Sequence, residues 1–315
     1  WRMGRDSLRY WVQEYHVDGF RFHLPGALGR GRGDEFDPDH PFLVALRTDP
    51  VLSAVKLIAE PWDVGMHGWR TGQFPPPFME WNDRYRDAVR LQPLATRLAG
   101  SRDLFGPRDR GPTASINLVA AHDGFTTADL VAYDHKHNEA NGENNHDGSH
   151  GNGSWNHGVE GPTDDPQVLA ARSLAIRNLL GTLLLSTGIP MINAGDELGR
   201  SQGGNNNPYC QDTSTSWINW DLEPWQRDLL ATTSHLTRVR QSLPALRQRV
   251  WAMGRQVHDD GTRDMEWYAA DGAPMGDRWA EGHRLVQLYV AGAWMGWDSA
   301  LLVVIPYFGA ILGAI

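Results

Sequence analysis

Cysteine is the scarcest residue in this chain, since Cys210 is the only one among 315 residues. A single thiol cannot form an internal disulfide, and such scarcity is typical of proteins that work in a reducing compartment. We therefore expect a cytoplasmic location.

Runs of basic residues and long uninterrupted apolar runs are also missing. The formal net charge is −9, which argues against nucleic acid or an anionic membrane surface as a partner. Residues 299–315 carry no charge, but Pro306 interrupts this stretch of 17 residues, and it is too short to favour a membrane span. We predict that it begins a C-terminal β-domain, with a membrane-anchoring tail as the weaker alternative.

A glycine-rich phosphate loop does not follow any predicted strand, which disfavours a nucleotide-binding fold. Short apolar runs instead alternate with amphipathic stretches, and this alternation predicts a parallel sheet flanked by helices. The predicted strands are 17–24, 55–60, 80–84, 115–121 and 189–197, and the predicted helices are 5–15, 41–54, 167–186 and 224–243. Residues 134–166 read as a long polar loop, whose length predicts either function or disorder.

Polar residues gather where the predicted strands end: His23, Glu60, His122, Asp123, Asp196 and Glu197. A (β/α)8 barrel carries its chemistry at the C-terminal ends of its strands, and a doubly wound sheet also binds ligands there. Arg21 and His23 lie two residues apart and therefore point to the same side of their strand. For a lone histidine at a strand end, a purely structural role is the ordinary interpretation.

Three strand motifs bear a specific resemblance. VDGFRFHL (17–24), LIAEPWDVG (57–65) and INLVAAHDGF (116–125) resemble the fourth, fifth and seventh strand motifs of the α-amylase family of glycoside hydrolases. Three loop motifs, HKHNEANGENN (135–145), AGDELGRSQGGNNNPYCQD (194–212) and SWINWDL (216–222), resemble the isoamylase-type bacterial glycogen debranching enzymes within that family.

The resemblance implies a fold and a division of the chain. Residues 1–247 would form part of a TIM (β/α)8 barrel, containing its strands four to eight. Residues 248–315 would begin a C-terminal antiparallel β-sandwich domain, here truncated. The chain would then correspond to the C-terminal portion of a debranching enzyme.

The resemblance also implies roles for individual residues. Glu60 matches the general acid/base, and Asp123 matches the carboxylate that stabilises the transition state. Arg21 and His122 match substrate-binding positions, Arg21 also orienting the nucleophile. Position 23 matches the nucleophilic aspartate, but in this chain it is His23. No cofactor and no metal are implied.

The implied activity is hydrolysis of α-1,6 branch points in glycogen, limit dextrin or another branched α-glucan, by a retaining mechanism with two carboxyl groups. An imidazole at position 23 cannot supply the negative charge that the attacking carboxylate places beside a cationic transition state. Two hypotheses therefore stay open: a debranching hydrolase impaired by His23, and a non-catalytic homologue that binds α-glucan.

Two further residue types invite interpretation. Tryptophan is frequent, with 14 in the chain, and six of them are candidate platforms for sugar rings, although core packing is the ordinary role. These six are Trp62, Trp69, Trp81, Trp155, Trp217 and Trp220. The histidines between 135 and 157 have no tight metal-ligand spacing, so a solvated polar loop is favoured over a metal site.

Overall fold

Five short strands form a parallel sheet in which the strand order follows the chain order. They are β1 (Gly19–Phe22), β2 (Lys56–Ala59), β3 (Met79–Asn82), β4 (Ser115–Leu118) and β5 (Ile189–Met191). The computed structural model describes residues 2–31, 35–65, 67–91, 94–281, 286–292 and 300–304. Within these residues the predicted parallel sheet is confirmed, and β1 lies at one edge of it.

Helices connect the strands and follow the sheet. The α-helices of the described residues are α1 (Arg2–Tyr15), α2 (Pro41–Thr48), α3 (Asp83–Leu91), α4 (Ala95–Leu98), α5 (Arg102–Phe105), α6 (Pro166–Leu185) and α7 (Pro224–Ser242). Both long helices begin with proline at their first position, where the missing N–H has no intrahelical role. The side chain of Asp165 caps α6 by accepting from the backbone N–H groups of Gln167 and Val168.

The predicted helix 41–54 was too long. Helix α2 ends at Thr48, and a separate 3₁₀ turn follows at Leu52–Ala54. Pro50 explains the break, because the residue before a proline is driven out of helical geometry, and Asp49 is extended with φ −69° and ψ 129°. The side chain of Asp49 then accepts from the backbone N–H groups of Val51 and Leu52.

The predicted strand 80–84 was also wrong at its end. Strand β3 stops at Asn82 and α3 begins at once, because the Oδ1 atom of Asn82 accepts from the backbone N–H of Tyr85 at 2.9 Å, as an N-cap does. The buried amide of Asn82 also donates to the hydroxyls of Ser101 and Ser115. Asn82 thereby joins β3, α3 and β4.

The last predicted strand, 189–197, is shorter than expected. Strand β5 ends at Met191, and Gly195 has a φ of 94°, a left-handed conformation that glycine adopts without strain. A 3₁₀ turn at Asp196–Leu198 follows. Asp196 and Glu197 therefore lie in the loop after β5 rather than in the sheet.

A second, antiparallel sheet contains β6 (Met265–Ala269), β7 (Val286–Val290) and β8 (Ala300–Val304). Ala269, Val286, Leu288 and Val290 are buried in the largest apolar cluster, together with residues of α3 and α6. The apolar segment predicted to begin a C-terminal β-domain contributes β8, and its residues 305–315 lie outside the described part of the chain. The division of the chain at residue 247 stays a prediction.

Helix α6 is long and apolar enough to cross a membrane by length and composition alone, and it is the one such helix among the described residues. Its leucines at positions 179, 180, 183 and 184 are nevertheless buried. Most of them belong to the largest apolar cluster, which also contains Tyr85 and Leu229. The helix therefore packs as a core element against α3 and α7.

A buried ion pair joins strand β3 to Arg110. Glu80 on β3 is fully buried and pairs with Arg110, which is also buried. The carboxylate accepts from the backbone N–H of Phe74 at 3.2 Å and of Gly72, and Arg110 donates to the carbonyl oxygens of Phe74 and Phe78. Burial raises the pKa of Glu80, while Arg110 opposes that effect. The pair ties the 72–78 loop to β3.

We predict that Arg110→Met destabilises the protein by about 3–5 kcal/mol, because removing one partner leaves the other charge buried and uncompensated. Urea denaturation followed by tryptophan fluorescence measures the change. The double variant Arg110→Met with Glu80→Gln should recover a large part of the loss. Equal stability of the single variant and the wild type would show that Glu80 is not charged in the folded protein.

Candidate active site

The strands β1, β2 and β4 are parallel members of one sheet, so their C-terminal ends share one edge. Arg21 lies on β1 and His23 follows that strand directly, while Glu60 follows β2 directly. His122 and Asp123 come four and five residues after the end of β4. All five residues predicted from the sequence are therefore delivered to the same edge.

Glu60 is the centre of a close group at this edge. It is 1% exposed, and its Oε1 atom lies 2.6 Å from Nη2 of Arg21. Its Oε2 atom lies 2.8 Å from Nδ1 of His23 and accepts from the backbone N–H of Leu24 at 3.0 Å. Both carboxylate oxygens are thus engaged by groups of β1 and the residues that follow it.

Trp81 on β3 links this group to the residues after β4. The guanidinium of Arg21 lies 4.3 Å from the centre of the Trp81 ring, a cation–π distance. The Trp81 ring also lies next to the His122 ring, in an edge-on arrangement with centroids 5.9 Å apart, and next to the Trp62 ring at 6.2 Å. The tryptophan is mostly buried, and its ring lies between Arg21 and His122.

Asp123 and His122 are exposed, in contrast to Glu60. Their side chains are 48% and 59% exposed, and Nδ1 of His122 lies 3.9 Å from Oδ1 of Asp123. They line a cavity of about 340 Å³ together with residues from the loop after β5, namely Asn193, Arg200, Gln202, Asn207, Pro208 and Tyr209. This volume is in the range of small-molecule sites. A carboxylate in such a cavity is open to a ligand.

The cavity-lining residues of the loop after β5, such as Arg200 and Tyr209, were not predicted from the sequence as site residues. A signal was available, because the polar segment 200–212 follows a strand whose C-terminal end lies at the same edge. Of the candidate tryptophans, Trp62 and Trp81 are buried, while Trp69 is half exposed and stacks on Trp62 with centroids 6.0 Å apart. Trp217 and Trp220 are exposed.

Asp196, also placed at a strand end by the sequence, does not face this cavity but lies inside the protein. It is 2% exposed and accepts from the backbone N–H of Thr127 at 2.9 Å. Burial raises the pKa of Asp196 to about 6, against the effect of its hydrogen bonds to Thr127. Asp196 therefore ties the loop after β5 to the loop that carries Asp123.

The chain is similar in sequence to two bacterial proteins whose names refer to glycogen. It is 50% identical over 299 residues to the protein named "Glycogen operon protein GlgX homolog" of Mycobacterium bovis, an alignment that covers 91% of this chain and 41% of the relative. It is 45% identical over 300 residues to the glycogen debranching enzyme of Erwinia tasmaniensis, covering 92% of this chain and 44% of the relative. The chain therefore spans less than half the length of these relatives.

Solved structures show the same type of fold. A pullulanase from Anoxybacillus in complex with maltotetraose matches 97% of this chain and 40% of its own, with a TM-score of 0.64 and 21% identity. The pullulanase from Bacillus acidopullulyticus matches 96% of this chain and 34% of its own, with a TM-score of 0.66 and 19% identity. No protein-family profile matches the chain.

The chain has the fold of one group of solved structures and the sequence of a more similar group of proteins. The fold is the α/β fold of the pullulanases, which resemble the chain in structure at low identity. At 45–50% identity, the chain is a homologue of the bacterial glycogen debranching enzymes over the part that aligns. The resemblance inferred from the strand and loop motifs is confirmed.

We predict that Asp196→Asn alters the pH dependence of stability. Because the folded-state pKa is raised to about 6, the contribution of Asp196 is fully present below its unfolded value and is lost as the pH rises through 6. The free energy of unfolding of the wild type, relative to Asp196→Asn, should fall by about 2 kcal/mol between about pH 4 and pH 7. Urea denaturation across this pH range measures it, and a constant difference would contradict the assignment.

Proposed function

We propose that this chain carries the α-glucan cleft of a glycogen debranching enzyme, which acts on α-1,6 branch points of glycogen or limit dextrins. In this proposal β1 to β5 are strands four to eight of a (β/α)8 barrel, and β6 to β8 begin the C-terminal β-domain. The observation that carries the proposal is the contact chain Glu60–Arg21–Trp81–His122. It joins residues of all three strand motifs along one edge.

Each residue has a role in the proposed chemistry. Glu60 gives a proton to the glycosidic oxygen as the bond to the anomeric carbon breaks, and later removes a proton from the attacking water. Asp123, exposed in its cavity, places negative charge beside the cationic anomeric centre. His122 donates to or accepts from sugar hydroxyls, and Arg21 orients the group at position 23.

Position 23 interrupts this chemistry. A retaining enzyme needs a carboxylate there that forms a bond to the anomeric carbon as the leaving group departs. His23 lacks that carboxylate, and its Nδ1 atom lies 2.8 Å from Oε2 of Glu60. The imidazole therefore also occupies an oxygen of the proposed acid.

This contact favours a second candidate function, in which the chain binds branched α-glucan without cleaving it. The loss of a nucleophile costs on the order of 10⁶ in rate in a well-studied protease. Both candidates share the same ligand and the same cleft, and they differ in turnover alone. The proposed partner is in either case glycogen, limit dextrin or a related glucan, in the cytoplasm, with no nucleic acid and no membrane.

We predict that the chain releases no reducing sugar from glycogen, and that His23→Asp restores release. An aspartate is ionised at neutral pH and can attack the anomeric carbon while Glu60 protonates the leaving oxygen. The assay uses this chain joined behind the N-terminal part of the Mycobacterium bovis relative, since the alignment covers 41% of that protein. Reducing-sugar release is measured together with binding of maltotetraose.

The matched control is His23→Asn, which has the size of aspartate but no charge and should stay inactive. If the His23 protein is as active as His23→Asp, position 23 is not that of the nucleophile. If His23→Asp remains inactive but binds maltotetraose, the second candidate function is favoured. If neither protein binds maltotetraose or releases sugar, the proposed function is wrong.

A further inference from the structure

We propose that Tyr209 determines how the cleft binds α-glucan, by providing the aromatic face on which one glucose ring stacks beside Asp123. This inference rests on the proposed function, and it names a contact residue that neither the strand motifs nor the comparisons assign. Two observations carry it: the position and exposure of the ring, and the hydrogen-bond network of the loop that holds it.

The position comes first. Tyr209 and Asp123 line the same cavity of about 340 Å³, and Tyr209 is 67% exposed. An exposed aromatic ring is costly to hydrate, whereas the C–H face of a glucose ring is an apolar surface of similar size that can cover it. The tyrosine therefore offers an aromatic platform in a cavity that also contains polar side chains, Asp123 among them.

Hydrogen bonds order the segment that holds Tyr209, although residues 200–212 contain no helix or strand. Asn206, which is 2% exposed, makes a reciprocal pair with the fully buried Asn138: its backbone N–H donates to Oδ1 of Asn138, and its Oδ1 accepts from Nδ2 of Asn138, both at 2.9 Å. The Nδ2 atom of Asn206 donates to Oδ1 of Asn152 and to the carbonyl oxygen of Ser149, both at 2.8 Å. Every polar atom of the Asn206 side chain is therefore hydrogen-bonded to the polar loop at residues 134–166.

Neighbouring residues continue this amide network up to Tyr209. Asn205 donates to Asn141 and Asn207 donates to Asp147, each at 2.9 Å. The backbone N–H of Tyr209 donates to the carbonyl oxygen of Asn207 at 2.8 Å, which closes a tight turn. Breaking this network would leave buried amide groups unpaired, which is costly. The network therefore holds the backbone that carries the ring of Tyr209.

The test is binding of maltotetraose to the chain as it stands, measured by isothermal titration calorimetry. Tyr209→Ala should raise the Kd about tenfold, the loss expected for one stacking contact. Tyr209→Phe keeps the ring and should bind within about twofold of the wild type. The control is Tyr15→Ala, which removes another exposed aromatic residue, 58% exposed, from the end of α1 and should leave the Kd unchanged. Circular dichroism melts establish that each variant is folded.

The outcomes separate this inference from the function on which it rests. If the wild type binds maltotetraose and Tyr209→Ala binds equally well, the stacking role is wrong and the proposed function stands. An equal loss in Tyr15→Ala, or in Tyr209→Phe, would also overturn the inference, because the effect would then not come from the ring of Tyr209. If the wild type does not bind maltotetraose, both the inference and the proposed function fail.

Discussion

The burial of Glu60 is the constraint on which the arrangement of this edge depends. A carboxylate that is 1% exposed must be paired, because an isolated buried charge is very costly. The parallel register of β1 and β2 sets Arg21 opposite Ile58, two residues before Glu60, and Arg21 reaches the carboxylate from there. Leu24 completes the pairing through its backbone N–H. The same contacts hold the ends of β1 and β2 together.

His23 lies directly beside the buried carboxylate of Glu60. Its Nδ1 atom satisfies an oxygen of Glu60 at 2.8 Å, so the imidazole fits the electrostatic needs of the buried carboxylate. An aspartate at this position would instead place a second negative charge near Glu60, and it would depend on Arg21 for compensation. A histidine at this position therefore adds no negative charge beside the buried carboxylate, whereas an aspartate would.

The two polar loops at this edge are ordered by amides rather than by an apolar core. Asn138 and Asn206 are both buried and lie 68 residues apart in the chain, yet each satisfies the other. Gly148 has a φ of 72°, and a Cβ atom there would lie 2.3 Å from Oδ1 of Asn206, so this position requires glycine. Satisfied buried amides specify one arrangement, because any slip would leave donors and acceptors unpaired.

The sequence by itself determined the alternation of strands and long helices, the strand ends that carry Glu60 and Asp123, and the relationship to the debranching enzymes. These follow from local periodicity and from short motifs, which depend on residues close together in the chain. Only the tertiary structure decided that Trp81 joins Arg21 to His122, that Asp196 turns inward, and that Tyr209 shares a cavity with Asp123. Those contacts join distant segments, and local patterns do not encode which distant polar groups will satisfy one another.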